Sequence, residues 1–321
     1  GLNMTVFPGD FAYIVGKVGS GKTSIIRTIT AENPLWSGEG KVCGFDLKEI
    51  GGNAEVVQSL AKWKRMALHR FGFKPGEGLY TDMNAIRRDE ELDNIHSVYV
   101  DQIDWEKIIT KENRNTDYLK AVVRCIVGAI VSTNERFIVR YPQIKSVISP
   151  DVAFITSGEL EDMYPHLTPK ERENTFVKEH PSACIMQIGG ALKNGKPHDG
   201  RAPDYDDWSS ETGDGNHGLN GDLLVWNPIL ESAMELSSMG IRVNPETLLY
   251  QLKERGCEQR ATLKFHSLLL NKQLVQTVGG GIGQSRLCMY FLSKAHIGET
   301  QVSTWSDDML SKCKEANIAI L

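Results

Sequence analysis

QTVGGGIGQSRL, residues 276–287, passes from an apolar run through four glycines into an arginine. Glycines let a backbone approach a ligand closely, and the planar, permanently charged guanidinium of Arg286 suits a phosphate group or an adenine ring. A glycine-rich run can equally be a helix-packing turn that carries a surface arginine. The stretch alone leaves both interpretations open, and the segments that precede it decide between them.

Four further segments, like the glycine-rich stretch, carry polar or charged residues suited to binding a ligand. QSLAKWK (58–64) has the pattern of the start of an amphipathic helix, and IRRDE (86–90) comes next. HSVYVDQID (96–104) alternates as a strand does, with polar groups on one side. GDLLVWN (221–227) and MELSSMGIR (234–242) form the fourth segment. The five segments, in this order and at this spacing, together form a specific sequence signal.

Together these segments resemble the catalytic domain of the class II aminoacyl-tRNA synthetases, and most closely the ammonia-dependent asparagine synthetases, or aspartate-ammonia ligases. The resemblance runs from about Asn53 to the C-terminus. RAPDYDDW (201–208) and ELSSMGIR (235–242) favour the ligases over the synthetases proper. The resemblance implies a ligase that makes asparagine from aspartate and ammonia with ATP and Mg²⁺ as cofactors, through an aspartyl adenylate, releasing AMP and pyrophosphate.

Such chemistry needs cations, because forming the adenylate brings a carboxylate and a phosphate together. By resemblance, Arg87 bridges the α-phosphate and the reacting carboxylate, Arg286 holds the ATP tail or the adenine, and Asp206 takes a proton from the ammonia nucleophile. The aspartate substrate would be bound by Ser59, Lys64, Gln102, Asp104 and Arg201. ATP would be bound by Arg87, Glu235, Ser237, Ser238, Arg242, Gly281, Gly283 and Arg286. Magnesium, which prefers oxygen ligands, would be held by Asp222 and Glu235.

Each assignment has a structural alternative. The acidic run at 204–207 could be a solvated loop, because prolines and glycines punctuate it. Lys62, Lys64 and Arg65 could form the wet face of a helix whose other side is apolar. Glu235 could lie on an exposed edge. Five segments in the order of one family make these separate alternatives less plausible together.

The first fifty residues give a different signal. GKVGSGKT (16–23) follows an apolar run and precedes a helical pattern, as a phosphate-binding loop does. In such a loop the backbone amides, including those near Gly16 and Gly21, cradle phosphates, Lys22 reaches the β- and γ-phosphates, and Thr23 joins magnesium. The flanks of this loop resemble the opening of an ABC transporter ATPase, although the later signature segments of that family are missing.

Two domains are therefore predicted, a P-loop-like segment at 1–50 and a class II synthetase-like domain at 53–321. The ligase family carries a dimer-forming motif 1 helix before the aspartate-recognition helix, and nothing from Gly1 to Asn53 matches it. A homodimer is the expectation from resemblance, with reduced activity if that helix is missing. The alternative functions are an ATP-hydrolysing transporter subunit and an inactive nucleotide-binding chimera.

Composition narrows the class of protein. The 321 residues are 40% hydrophobic and carry a net charge of −5, without a membrane-spanning run, a signal peptide or a dense basic stripe. We expect a cytoplasmic enzyme that acts on small molecules and binds no nucleic acid. The six cysteines and eight histidines show no metal-ligand spacing, and most cysteines are expected to be buried thiols.

The coarse pattern predicts an α+β fold, with an antiparallel sheet flanked by helices, because no regular βαβ rhythm is present. Residues 115–140 carry a helical apolar stripe, and Thr168-Pro169-Lys170-Glu171 predicts a helix start with a capping box. Strands are predicted at Val152–Thr156, Cys184–Ile188, Leu223–Trp226, Ile241–Val243 and Leu274–Val278.

Overall fold

The computed structural model describes residues 44–47, 52–55, 60–87, 90–144, 148–213 and 215–321. The chain divides into two units, Gly1–Ser59 and Leu60–Leu321. In the first unit, strands β1 (Gly44–Leu47) and β2 (Gly52–Glu55) pair antiparallel. The P-loop-like residues Gly16, Gly21, Lys22 and Thr23 lie outside the described residues, as does Ser59.

The second unit carries the sheet and helices that build the site. Its first half contains α1 (Leu60–Arg70), β3 (Gly78–Ile86), β4 (Tyr99–Ile108), α2 (Thr116–Arg140), β5 (Ala153–Thr156), α3 (Ser157–Met163), α4 (Pro169–Glu179) and β6 (Ser182–Met186). Its second half contains β7 (Asn220–Asn227), β8 (Ser232–Ile241), α5 (Pro245–Glu254), α6 (Lys264–Leu270), β9 (Thr277–Gly283), α7 (Gln284–Phe291) and α8 (Asp307–Glu315), with short 3₁₀ turns at Glu258–Thr262 and Ile297–Glu299.

Seven strands form one sheet in the order β3-β4-β9-β8-β7-β6-β5. Every neighbouring pair is antiparallel except β5 and β6, which are parallel and are joined through α3 and α4. The predicted antiparallel sheet flanked by helices is confirmed, with one parallel pair at its edge.

The register divides the central strands into two faces. Asp104 lies opposite Gly281, which lies opposite Ser238, which lies opposite Asp222. Residues paired across strands share a face, and neighbours along a strand point to opposite faces. We call the face with these four residues the polar face and the reverse side the apolar face.

The apolar face is covered by helices α2 and α7. Leu223 and Met239 of the sheet belong to one buried cluster with the α2 residues Leu119, Val123 and Val127. The predicted stripe of α2 is thereby confirmed, and its N-terminus is capped by Asn115, whose side chain accepts a hydrogen bond from the Tyr118 amide. Burial of this face anchors the sheet and leaves the polar face for the site.

The capping box predicted at Thr168 is confirmed. The Thr168 hydroxyl accepts from the Glu171 amide, and the Glu171 carboxylate accepts from the Thr168 amide at 2.8 Å, while Pro169 takes the first helical position of α4. These bonds satisfy amide groups that a helix N-terminus leaves open.

Each of the five predicted strands overlaps an observed one, but all their boundaries differ: β5 begins at Ala153, β6 spans Ser182–Met186 and β7 spans Asn220–Asn227. The strand predicted at Ile241–Val243 is the end of a longer one, because β8 spans Ser232–Ile241. The strand predicted at Leu274–Val278 starts later and is longer, because β9 begins at Thr277 and continues through the glycines to Gly283. Glycine has a low strand propensity, so the pattern stops the prediction too early. The structure keeps the glycines extended because β9 pairs with β4 on one side and β8 on the other.

Candidate active site

A cavity of about 300 Å³ opens beside β4, β8 and β9. Its wall brings together residues from four of the five sequence segments, together with the acidic loop residue Asp199. The predicted site residues in this wall are Arg87, Gln102, Glu235, Gly281, Gly283 and Arg286.

Arg286 lies in the first turn of α7, directly after the glycine strand. Its Nη1 donates to the Glu235 carbonyl at 3.1 Å and its Nε to the Ile95 carbonyl at 3.1 Å, while the Glu235 carboxylate lies 3.9 Å from Nη1. The side chain is 16% exposed. The guanidinium is therefore fixed by backbone oxygens in the cavity wall, as a preformed anion site needs.

Arg87 follows the last residue of β3 and is the more exposed cation of the cavity. Its side chain is 52% exposed, and Nη1 donates to Glu90 at 2.8 Å. Both residues line the cavity. An exposed pair of this kind is weak, so Arg87 can exchange Glu90 for another anion at little cost.

The glycines of β9 make room for charged side chains on the polar face. A Cβ at Gly279 would collide with the Glu106 carboxylate and the Arg242 guanidinium, and one at Gly281 would collide with the Gln102 amide. The glycine run is thus a strand that admits large polar neighbours. The alternative of a helix-packing turn is wrong for Gly279 and Gly281, although α7 begins right after β9.

Lys64 and Asp104 form a buried ion pair. The Lys64 side chain is fully buried and that of Asp104 is 12% exposed. Burial lowers the pKa of Lys64, and the nearby Asp104 and Glu106 offset part of that effect. The alternative of a solvent-exposed helix face is wrong for Lys64 and Arg65. Arg65 is also buried, and it donates to the Val243 carbonyl at 2.8 Å.

Arg242 joins two carboxylates in the interior. Its Nη2 donates to Glu106 at 2.8 Å, and its Nη1 is paired with Asp206. Burial raises the pKa of Asp206, and Arg242 and Arg201 offset part of the rise. Arg242, predicted to bind ATP, and Asp206, predicted to be the base, therefore lie in a buried network and not among the residues that line the cavity.

Arg201 and Asp222 form a second buried pair. Nη2 of Arg201 lies 2.5 Å from both Asp222 oxygens, and each side chain is 9% exposed. Burial raises the pKa of Asp222 to about 7; Glu235 adds to the rise and Arg201 offsets part of it. For Arg201, burial would lower the pKa, but Asp222 and Asp206 raise it above the ordinary value.

The two predicted metal ligands, Asp222 and Glu235, lie close enough to influence each other electrostatically. Two carboxylates that also meet substrate phosphates are a usual magnesium arrangement, so the oxygen donors fit that ion in kind. Within the described part of the chain, no group of three or more His, Cys, Asp or Glu side chains could hold a metal by itself.

The two serines of β8 have different positions. Ser238 lies on the polar face, directly opposite Asp222 on the neighbouring strand. Ser237 points to the other side of the strand, and its hydroxyl donates to the Gly281 carbonyl at 2.9 Å. The structure therefore brings Ser238 to the charged groups but leaves Ser237, predicted with the ATP-binding residues, in a sheet contact.

The acidic segment at 204–207 is not a solvated loop. Asp204, Asp206 and Asp207 are 2%, 3% and 0% exposed. Each carboxylate meets a cation: Asp204 meets Lys62, Asp206 meets Arg242 and Asp207 meets Arg114. The structural alternative for this segment is wrong, because the carboxylates are paired in the interior.

Sequence reasoning missed Glu106, Arg114 and Gln251. Glu106 continues the alternation of Gln102 and Asp104 along β4, so extending the period of two by one step finds it. Arg114 and Gln251 carry no such signal, because the nearest hydrogen-bond partners of their side chains are 93 and 42 residues away in the sequence.

Two general expectations can be compared with the described residues. Among the cysteines described, Cys184, Cys257 and Cys313 are buried and Cys125 and Cys288 exposed, all as free thiols. In the same part of the chain, none of the helices combines the length and the apolar character that crossing a membrane requires.

Comparison with known proteins gives a consistent result. A sequence model of the family described as "AsnA: Aspartate-ammonia ligase" matches residues 25–317. The aspartate–ammonia ligase of Ruminiclostridium cellulolyticum is 55% identical over 92% of this chain and 86% of that protein. That of Lactobacillus acidophilus is 51% identical over 98% of this chain and 92% of that protein.

These matches also bear on the N-terminal fifty residues. The family match begins at residue 25, and the Lactobacillus match covers nearly the whole chain. The resemblance to the ligases therefore extends N-terminal to the predicted start at Asn53. The comparisons do not support the expected resemblance of the first fifty residues to an ABC transporter ATPase.

Solved structures with a similar fold include tRNA synthetases. The asparaginyl-tRNA synthetase of Entamoeba histolytica in complex with asparaginyl-adenylate matches with a TM-score of 0.57 and 14% identity, over 83% of this chain and 60% of that chain. The aspartyl-tRNA synthetase of the same organism matches with a TM-score of 0.56 and 16% identity, over 77% and 50%. At these identities the likeness establishes the fold alone.

Proposed function

The chain belongs to the aspartate-ammonia ligase family, and from that premise we propose that it makes L-asparagine from L-aspartate and ammonia, using ATP. In the first step, a side-chain carboxylate oxygen of aspartate attacks the α-phosphorus and the bond to pyrophosphate breaks. In the second, ammonia attacks the acyl carbon, the bond to AMP breaks, and the nitrogen loses a proton.

The observation that carries this proposal is the cavity that gathers Arg87, Glu235 and Arg286 beside the polar face. Two fixed cations on one wall can offset the repulsion between a carboxylate and a phosphate. We assign Arg87 to the α-phosphate and the reacting carboxylate, since its exposed contact with Glu90 is easily exchanged. We assign Arg286 to the nucleotide, since backbone carbonyls already hold its guanidinium.

The polar face supplies complementary groups for aspartate itself. Lys64 and Arg201 are proposed for the spectator α-carboxylate, and Gln102 and Asp104 for the ammonium, with Ser59 as a further contact. Lys64 and Arg201 now contact Asp104 and Asp222, which supports a site whose charges are balanced before substrate arrives. Asp206 is proposed to take the proton from ammonium, because burial raises its pKa and so its affinity for a proton.

Magnesium would be held by Glu235 and Asp222 together with phosphate oxygens, and when bound it would neutralise charge on the phosphates. Glu235, Ser238, Gly281 and Gly283 would contact ATP. The family resemblance also supports a homodimer in the cytoplasm. Light scattering of the purified chain tests whether it is a dimer in solution.

The experiment that tests the proposal is product analysis. The purified chain is incubated with ATP, magnesium and aspartate, with and without ammonium, and AMP is separated from ADP and asparagine from aspartate. AMP and asparagine formed together only with ammonium is the expected result. ADP formed regardless of aspartate would contradict it.

A further inference from the structure

The segment Arg201–Ser210 has no regular secondary structure, yet much of it is buried. It carries Arg201, proposed to bind the α-carboxylate of aspartate, and Asp206, proposed to take a proton from ammonium. Irregular backbone in an interior needs hydrogen-bond partners for its amide and carbonyl groups, or it is strongly destabilising. The question is which group supplies those partners.

Gln251, on α5, is fully buried and supplies partners for three of these backbone groups and for one side-chain hydroxyl of the segment. Its Nε2 donates to the carbonyls of Pro203 and Asp206, both at 2.9 Å. Its Oε1 accepts from the Trp208 amide at 2.9 Å and from the Ser209 hydroxyl at 2.9 Å. One primary amide can make four hydrogen bonds, and here all four go to this one segment.

These contacts lead directly to the charged side chains. The Asp206 carbonyl belongs to the residue whose carboxylate pairs with Arg242. Trp208 donates from its ring nitrogen to the Ala202 carbonyl at 3.3 Å, next to Arg201. Arg201 and Trp208 both pack on Gly189, which has a φ of +121° and where a Cβ would come within 2.9 Å of each side chain.

A second anchor fixes the same segment from other elements. Asp204 Oδ2 accepts from Lys62 of α1 at 2.8 Å and meets His266 of α6 at 3.1 Å. Arg260 lies 3.5 Å from the same oxygen. Gln251 is distinct because its contacts are neutral and extend from Pro203 to Ser209, on both sides of Asp206.

We infer that Gln251 is a positioning residue for the aspartate site, acting through the backbone of Arg201–Ser210 on Arg201 and Asp206. The inference rests on the proposed function. Gln251 itself touches no substrate; it sets where the guanidinium and the carboxylate stand. Its loss displaces Arg201, which holds the α-carboxylate of aspartate, and Asp206, the base, and leaves the nucleotide wall with Arg87 and Arg286 in place.

The test compares Gln251→Met with a matched control, Asn227→Ala. Asn227 is also a buried amide, 2% exposed, whose Oδ1 accepts from the Ile229 and Leu230 amides in the turn between β7 and β8, and it is not among the cavity residues. Steady-state kinetics, with aspartate and ATP varied separately, and melting temperatures are measured for both variants and the wild type.

For Gln251→Met we expect kcat/KM for aspartate to fall roughly tenfold to a hundredfold, because a displacement of about 1 Å at a reacting group has effects of this size. KM for ATP should change by less than about twofold. Asn227→Ala should lower the melting temperature without changing either KM. If Gln251→Met changes aspartate kinetics no more than Asn227→Ala does, Gln251 is only a stabilising residue and the inference is wrong.

Ser209→Ala keeps the test decisive if Gln251→Met does not fold, because it removes one of the four bonds. Ser209→Ala should raise KM for aspartate by a smaller factor than the loss of all four bonds would. An unchanged KM would overturn the inference. Failure of the proposed function looks different. The wild type would then form no asparagine and show no melting-temperature shift with aspartate, which would remove the basis of this inference too.

Discussion

The two faces of the central sheet are built from alternate residues of the same strands, yet they are held together differently. On the apolar face, side chains such as Leu223, Met239 and Val278 pack against α2 and α7. On the polar face, Asp104, Glu106 and Asp222 are each paired with a cation. Apolar packing is non-directional, while a buried ion pair depends on geometry.

Side chains on the two faces can therefore be equally buried and yet have different roles, one in stability and the other in the site. Removing an apolar side chain leaves a void, and its cost is a loss of stability. Moving a charged side chain changes which partner it contacts, so the main loss is in the activity of the site. Substitutions on neighbouring positions of one strand can therefore separate stability from activity.

The largest effect is expected for Arg286→Ala at the edge of the polar face. We expect adenylate formation to fall by about 10²–10³-fold, because a fixed cation that meets charge in the transition state is lost. The melting temperature should stay near that of the wild type, since Arg286 lies partly exposed in the cavity wall. Aspartate-dependent exchange of pyrophosphate into ATP measures the effect.

Arg136→Ala is the control for that variant, because Arg136 is an exposed arginine of α2. It should leave exchange unchanged. If Arg286→Ala still catalyses pyrophosphate exchange, Arg286 is not part of the nucleotide site, and the contrast between the two faces is weaker.

Gly279→Ala is the next test, and it targets the space that the polar face needs. The new Cβ would meet the Glu106 carboxylate, the Arg242 guanidinium and the Trp105 carbonyl. We expect activity to fall roughly a hundredfold through displacement of the charged pair, with a stability loss of about 1–3 kcal/mol from overpacking. Product assays and urea unfolding check the two parts, and normal activity would mean that the ion pair can move freely.

Leu223→Ala probes the opposite face. Leu223 is 1% exposed in the cluster under α2, so the free energy of unfolding should fall by about 2–5 kcal/mol. Activity per folded molecule should be unchanged at a temperature where the variant remains folded. A marked rise in KM for aspartate would show that the two faces are coupled, against the comparison above.

The smallest expected effect concerns the pH dependence of Asp204. Its contacts with His266 and Lys62 outweigh the opposing effect of burial and hold its pKa below the ordinary value of 3.8. A carboxylate whose pKa is lower in the folded state stabilises the fold above its unfolded pKa, and this contribution is lost as the pH falls. The melting-temperature gap between wild type and Asp204→Asn should thus be largest near neutral pH and shrink below about pH 3.8.

Asp162→Asn serves as the reference in that series. Asp162 pairs with Lys193 at the surface and is 54% exposed, so its substitution should give a small gap at every pH. A gap for Asp204→Asn that does not depend on pH would mean that the ionised carboxylate is not what stabilises the segment.

The sequence predicts much of the apolar face and less of the polar one. The stripe of α2 and the capping box at Thr168 depend on residues a few positions apart, and both are confirmed. The alternation of Gln102 and Asp104 likewise places them on one face of β4. Local spacing suffices for these features, because helices and strands have fixed periods.

What the sequence does not reveal depends on long-range pairing. Asp204, Asp206 and Asp207 are buried against cations on α1, directly after β8 and in the loop before α2, and a run of acidic residues carries no sign of these partners. The glycines of β9 are extended because strands flank them on both sides. Six predicted site residues line the cavity. The other described ones do not: Lys64, Asp104, Arg201, Asp206, Asp222, Ser237, Ser238 and Arg242.

If Arg201 binds the α-carboxylate of aspartate, as proposed, its pairing with Asp222 affects how that carboxylate is selected. Asp222 already gives Arg201 a competing anion, so an arriving carboxylate would have to displace Asp222 before it binds. Affinity then reflects the difference between two similar ion pairs and not the full strength of one. A ligand with the right charge and the wrong shape gains almost nothing from this exchange, and after product leaves, the internal carboxylate returns the site to its resting arrangement.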